Sequence, residues 1–161
     1  IIMRSLPEVI PVTDGVYARP MSPADAAGLY SDHIEVKDPA LIPWQRELFE
    51  DHFNRKSQNP NNFLYGVFRE GKVLGEVDLI EAFDPYGDRT ELVSLFEEQE
   101  TAEESLAIEA ILKQCGPEFG TIQAIIHHKR SAVIKILKEL GFEYAEHRFE
   151  GTDFKLVRTA D

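Results

Sequence analysis

Five glutamates lie between a predicted strand and a predicted helix, in the stretch FEEQETAEES at residues 96–105. The start of a helix presents unpaired backbone N–H groups and a partial positive charge, so a junction of this kind binds phosphate in many folds. The same residues also predict an ordinary helix start, because Thr101 and Glu104 have the spacing of a capping box and Glu103 complements the helix dipole. The sequence leaves three readings open: a phosphate site, a site for a cationic partner, and a helix start that binds nothing.

Four other side chains have the chemistry of general acids and bases. Glu76 and Asp78 are two residues apart on a predicted strand and share a face, so they form either a carboxylate pair or part of a solvated strand face. His127 and His128 end an apolar stretch, and histidine titrates near neutral pH. Strand alternation directs the two rings to opposite faces, so we expect only one to face a cleft, with a surface or capping role as the alternative. The sequence has no Cys and His set at metal-ligand spacing and no P-loop, G-x-S-x-G or G-x-G-x-x-G motif.

The composition is that of a soluble, acidic globular domain. The 161 residues include 17 bases and 29 acids, a net charge of −12. Such a chain is expected to repel nucleic acid and anionic membrane surfaces. The single cysteine, Cys115, excludes an intrachain disulfide and fits a reducing, cytoplasmic compartment, with a buried apolar role near a helix end. No apolar run approaches the roughly 20 residues of a membrane span.

Apolar periodicity predicts one domain over residues 15–161, preceded by an irregular arm at residues 1–14. The predicted helices lie at 23–30, 38–56, 102–114 and 131–140. The predicted strands lie at 15–21, 63–68, 72–80, 90–96, 121–128, 142–150 and 152–159. The order is therefore β-α-α-β-β-β-α-β-α-β-β. Three consecutive strands predict antiparallel pairing, and the later β-α-β unit predicts a right-handed crossover to a parallel strand. The fold class is α/β, with a mixed central sheet and helices on its faces.

This order resembles the GNAT (acyl-CoA N-acyltransferase) superfamily over residues 15–158. The stretch SAVIKILKELGF, residues 131–142, resembles the second CoA-side motif of that family. The stretch QETAEE, residues 99–104, stands where the family has a loop of the type Arg/Gln-x-x-Gly-x-Gly/Ala, whose backbone N–H groups hold the CoA pyrophosphate. The resemblance implies a GNAT-like domain that transfers an acetyl or acyl group from acetyl-CoA or another acyl-CoA to an amine of a small molecule or protein. A homo-oligomer stays open, since the closing hairpin offers an edge to a second copy.

The resemblance also implies which residues form the site. The cofactor-binding candidates follow the two motifs and are Gln99, Thr101, Ala102, Glu103, Glu104 and Arg130. The acceptor cleft of this family lies where the central parallel strands separate. Its position implies the catalytic candidates Glu91, Ser94, His127 and His128. The substrate-contact candidates are Trp44, Glu76 and Asp78, with packing against the sheet as the alternative for Trp44.

Four positions depart from the family pattern. Arg130 stands where many members have an asparagine at the helix start, and it either brings positive charge to the acyl-CoA cleft or belongs to a solvated helix start. Ala102 and Glu104 stand where the loop has its small residues, and a glutamate there places bulk and negative charge in the space of a phosphate. Leu137 stands where many members have a tyrosine that serves as general acid, and leucine has no proton to donate. These departures favour a second interpretation, a GNAT-fold binding or structural protein that no longer binds CoA. The stretch IKILKELGF, residues 134–142, also resembles such proteins of tailed phages.

Overall fold

The computed structural model describes residues 7–26, 29, 51, 53–84, 87–149 and 153–159. These residues form one eight-stranded sheet in the order β1-β2-β3-β4-β5-β6-β8-β7. The strands are β1 Ile10–Thr13, β2 Val16–Pro20, β3 Phe63–Arg69, β4 Lys72–Asp84, β5 Gly87–Phe96, β6 Ile122–His127, β7 Glu143–Phe149 and β8 Asp153–Arg158. The helices are α1 Ala102–Cys115 and α2 Ser131–Glu139, and residues 23–26 and 53–57 are also helical. The predicted α/β class with a mixed sheet is confirmed.

The pairing of β5 with β6 is parallel, as the β-α-β unit predicts, and the other neighbouring pairs of the described sheet are antiparallel. The parallel contact is short, because its register consists only of Thr90 with Ile122 and Glu91 with Gln123. Both strands continue beyond that contact, β5 to Phe96 and β6 to His127. The two strands therefore separate towards their carboxyl ends and leave a gap in the middle of the sheet.

Helices cover both faces of the sheet. The buried side of α1 presents Ile108, Ile111 and Leu112 to the main core, which also contains Val77 and Leu79 of β4. Helical spacing predicts an apolar stripe of Val133, Ile136, Leu137 and Leu140 on α2. The first three are buried, Leu140 packs partly buried against the core, and Ile134 is buried as well. A second cluster, formed by Ala26, Phe53 and Leu64, packs on the other face with Met21, Ile80 and Leu95. Burying each large apolar side chain stabilises the fold by roughly 1.5–3 kcal/mol.

Several caps and turns that the local sequence specifies are formed in the structure. Ser22 and Asp25 form a capping box, with the Asp25 N–H donating to Ser22 Oγ at 3.2 Å and the Ser22 N–H donating to Asp25 Oδ2 at 2.9 Å. The hairpin turn lies at residues 70–71, both at positive φ. Gly141 ends α2 at φ +95°, the left-handed conformation that glycine adopts without strain. Cys115 is buried at the end of α1, as expected.

Two other predictions are wrong, and a third lies largely outside the described residues. The arm at residues 1–14 is not irregular throughout, because β1 pairs with β2 and Ile10 is fully buried in the core. The nearly continuous apolar stretch at residues 121–128 predicts a strand buried on both faces, but Ile125 of β6 is 38% exposed. Most of the predicted helix at residues 38–56, including Trp44, lies outside the described residues.

No helix in the described ranges is long and apolar enough to cross a membrane.

Candidate functional site

A cleft of about 420 Å³ lies in the gap between β5 and β6. Its polar walls are formed by Glu91, Ser94, Gln99, His127 and Arg130. Five of the residues expected from the sequence are therefore brought together by the separation of the two strands. A larger pocket of about 940 Å³ lies at the other end of α1, beside Gly116, and contains none of the expected site residues. The cleft, although smaller, is the candidate site.

Glu104 lies at the start of α1 and is completely buried. Its carboxylate accepts two hydrogen bonds from Arg130, from Nη1 to Oε1 and from Nη2 to Oε2, each 2.7 Å long. Ser94 Oγ donates to Oε2 at 2.7 Å, and the Glu100 N–H donates to Oε1 at 2.9 Å. A carboxylate has about four lone-pair sites, so these donors satisfy it. A charge-assisted, bidentate pair of this kind is among the strongest polar contacts in proteins.

The loop before α1 is shaped around this pair. Glu100 has a φ of +64°, an uncommon conformation for a residue with a side chain, and its Oε2 accepts the Ala132 N–H of α2 at 2.6 Å. Its Oε1 lies 3.2 Å from Arg130 Nη1 without hydrogen-bond geometry. Thr101 caps α1 as predicted, because its Oγ1 accepts the Glu104 N–H at 3.2 Å. The capping box is only half formed, since the Glu104 carboxylate bonds Glu100 rather than the Thr101 N–H.

The remaining loop residues point elsewhere. Ala102 is exposed, and Glu103 forms a surface ion pair with Arg69, from Nη2 to Oε1 at 3.0 Å. Gln99 is exposed and lines the cleft. The six residues 99–104 therefore do not form one continuous lining, because the cleft reaches Gln99 and Arg130 but none of residues 101–104.

Glu91 is the carboxylate of the cleft. It lies at the narrow end, where β5 and β6 still pair, and its side chain is 34% exposed. Its Oε1 accepts from Arg89 Nη2 at 3.3 Å and from Gln123 Nε2 at 3.4 Å. Ser94 lies further along β5, and its hydroxyl proton is used in the bond to Glu104. Of these two candidates, Glu91 is the one with an oxygen available to a ligand.

The two histidines lie side by side rather than on opposite faces. Their rings stack with centroids 4.4 Å apart, because β6 ends at His127 and the chain turns at His128. The expectation of opposite faces is therefore wrong, although His127 alone lines the cleft, as expected for one of the two. His127 Nδ1 accepts the Lys129 N–H at 3.1 Å. A neutral His127 ring with this bond carries its proton on Nε2 and is a hydrogen-bond donor there.

Glu76 and Asp78 form a buried pair away from the cleft lining. Both are fully buried, so the solvated strand face is wrong. Lys56 Nζ donates to Asp78 Oδ2 at 2.8 Å and to Glu76 Oε1 at 3.2 Å. Burial, together with the adjacent Glu76, raises the pKa of Asp78 well above its ordinary value, although Lys56 opposes this. Burial alone lowers the pKa of Lys56, but attraction to the negative charge of the two acids outweighs it and the pKa is raised. The sequence pattern contains no signal for the lysine, which comes from a different element.

No protein-family model matches the chain, and no curated protein matches it in sequence. Solved structures match it over nearly its whole length. An acetyltransferase from Salmonella typhimurium that modifies the N-terminal serine of ribosomal protein L7/L12 matches 96% of this chain with 100% of its own, at 14% identity and a TM-score of 0.68. A GNAT-family acetyltransferase from Streptococcus pneumoniae matches 91% with 99%, at 16% identity and 0.65. RimJ from Mycobacterium smegmatis, in complex with a CoA-disulfide, matches 94% with 86%, at 13% identity and 0.68. At these identities the likeness establishes the fold alone. The chain has the fold of the GNAT acetyltransferases, as its order of elements predicts.

Proposed function

We propose that the chain is an N-acyltransferase that moves an acyl group from a thioester to an amine in the cleft between β5 and β6. The supporting observation is the separation of these two strands beside Glu91, Gln99 and His127. The similar solved structures include an acetyltransferase that modifies a protein N-terminal serine, which supports an amine of a protein or small molecule as acceptor. The net charge of −12 favours a cationic acceptor.

The strand edges suit an extended thioester arm. Beyond Glu91 on β5 and Gln123 on β6, neither strand has the other as a partner. Backbone N–H and C=O groups along these edges are therefore open to the amide groups of a ligand, which adds to the sheet as a short strand does. The arm of CoA carries two such amides between its thioester and its diphosphate.

Acyl transfer to an amine needs two proton movements. The ammonium of the acceptor must lose a proton before the nitrogen attacks the thioester carbonyl, and the departing thiolate gains one. In this proposal Glu91 takes the first proton, directly or through a water molecule. His127 Nε2–H then donates to the carbonyl oxygen or to the thiolate, because Leu137 is buried in the core and has no proton to give.

The two parts of CoA fit this site unequally. Its thioester arm suits the cleft, where Gln99 lies at the end nearest the loop. Its diphosphate does not suit the start of α1, because the Glu104 carboxylate is already bound there by Arg130. This second observation favours another candidate function, a GNAT-fold binding or structural protein that has lost CoA.

Thioester hydrolysis and amine acylation assays decide between these functions. Release of free thiol from an acetyl thioester is measured with and without a panel of primary amines. We expect amine-dependent thiol release that falls about 10²–10⁴-fold in Glu91→Gln, which removes the base. The matched control is Glu109→Gln, which removes the same charge from an exposed position of α1 paired with Lys113. No turnover and no calorimetric binding of any acetyl thioester would overturn the acyltransferase and support the binding protein.

A further inference from the structure

We infer that the acyl donor is a pantetheine-type thioester that lacks the nucleotide diphosphate, and that Glu104 is an internal replacement for that diphosphate. The inference rests on the proposed acyl transfer, because it names the donor of that reaction. The ligand class is an uncharged arm with a thioester at one end and amide groups along its length. Four observations about the start of α1 and the cleft support it.

Five hydrogen-bond donors at the start of α1 are already used by the protein itself. Arg130 Nη1, Arg130 Nη2, Ser94 Oγ and the Glu100 N–H all point at the Glu104 carboxylate, at 2.7–2.9 Å. The Glu104 N–H donates to Thr101 Oγ1. A second anion at this place would have to displace a buried carboxylate from its only described cationic partner, Arg130.

Burial makes this displacement unfavourable. Glu104 is fully buried, and the Arg130 side chain is 12% exposed. A carboxylate without its partner in such a place loses both solvation and the bidentate contact. The ion pair of Glu104 with Arg130 is therefore part of the buried interior. A ligand cannot replace its carboxylate as easily as it could replace one in a surface ion pair.

The outer side of the helix start also carries negative charge. A small surface pocket there is lined by Glu97, Glu98 and Glu103, with Arg69 and Lys72 as its cations. Arg69 is already paired with Glu103 at 3.0 Å. Acids outnumber bases around this pocket, so a diphosphate that moves outwards from the buried pair meets repulsion.

The shape of the cleft agrees with a short donor. Its lining extends from Glu91 to Gln99 and Arg130 and includes no residue of α1. A ligand that fills the cleft thus contacts the open strand edges and ends beside Gln99. We therefore assign the cleft to the thioester arm alone.

The experiment compares two acyl donors with the same amine and the wild-type chain. We expect kcat/KM for acetyl-pantetheine to equal or exceed that for acetyl-CoA, and millimolar 3′-phospho-ADP to leave the rate unchanged. A tenfold or larger preference for acetyl-CoA, or inhibition by micromolar 3′-phospho-ADP, would overturn the inference and leave the proposed function standing. Failure to turn over either thioester would overturn the proposed function, and the inference with it.

Charge variants test the role of Glu104 itself. Glu104→Gln frees Arg130 to bind an anion, so we expect the ratio of kcat/KM for acetyl-CoA to kcat/KM for acetyl-pantetheine to rise at least tenfold. Glu103→Gln, at an exposed position, keeps the test decisive if the first variant does not fold, and we expect a two- to fourfold rise with acetyl-CoA. Glu109→Gln is the matched control and should leave both donors unchanged. A folded Glu104→Gln or Glu103→Gln variant with no gain for acetyl-CoA relative to acetyl-pantetheine contradicts the exclusion of diphosphate by these carboxylates.

Discussion

Removing Arg130 is expected to destabilise the domain strongly. Its guanidinium is the bidentate partner of the fully buried Glu104 and also lies 3.2 Å from Glu100. The loss of one partner from a buried ion pair leaves an uncompensated charge and costs about 3–5 kcal/mol. We therefore expect Arg130→Gln to lower the free energy of unfolding by about that amount.

This loss is a large share of the stability of an ordinary domain, which is about 5–15 kcal/mol. For a chain of 161 residues, each 1 kcal/mol shifts Tm by roughly 2–4 °C. The expected fall in Tm is therefore about 6–20 °C. Urea denaturation followed by far-ultraviolet circular dichroism measures the free energy, and a thermal scan measures Tm.

A double-mutant cycle separates the charge from the shape. Glu104→Gln combined with Arg130→Gln leaves two neutral amides that can bond each other, so the double variant should be more stable than the sum of the single losses by about 1–3 kcal/mol. The control is Arg69→Gln, whose pair with Glu103 is exposed and should contribute less than about 1 kcal/mol. Two results would refute a strong buried pair. One is that Arg130→Gln loses no more stability than Arg69→Gln, and the other is that the losses of Glu104→Gln and Arg130→Gln simply add in the double variant.

Two further predictions concern the buried acids on the other face of the sheet. Lys56→Met removes the cation that contacts both Glu76 and Asp78, so we expect a loss of about 3–5 kcal/mol in urea denaturation. Lys113→Met, in an exposed helix pair, should lose less than about 0.5 kcal/mol, and equal losses would contradict the burial argument. The raised pKa of Asp78 means that the folded chain holds this proton more tightly than the unfolded chain, so its contribution to stability falls as pH rises from about 4 through the folded pKa. The free energy of unfolding of Asp78→Asn, relative to that of wild type, should therefore rise with pH over that interval. Denaturation curves at several pH values measure this difference, and a difference that falls as pH rises would contradict the raised pKa of Asp78.

Local sequence patterns determined the architecture. Apolar residues alternate or recur at helical spacing within short segments. The order of β2 to β8 with α1 and α2, the hairpin at residues 70–71 and the stripe of α2 are therefore readable without knowledge of their neighbours, whereas β1 was not. The caps at Ser22 and Thr101 are equally local, since each side chain bonds a backbone group three residues away. The parallel pairing of β5 with β6 followed from the rule for β-α-β crossovers.

The partners of charged side chains were decided only by the tertiary structure. Glu104 has the spacing of a capping residue, but its main partner, Arg130, is 26 positions away and arrives when α2 packs beside α1. Glu76 and Asp78 have the pattern of a solvated strand face, but Lys56, 20 and 22 positions away, permits their burial. A periodic pattern identifies which side chains share a face and gives no information on what covers it. For this reason the sequence located the start of α1 as the decisive place, and only the packed structure identified the carboxylate and guanidinium that fill it.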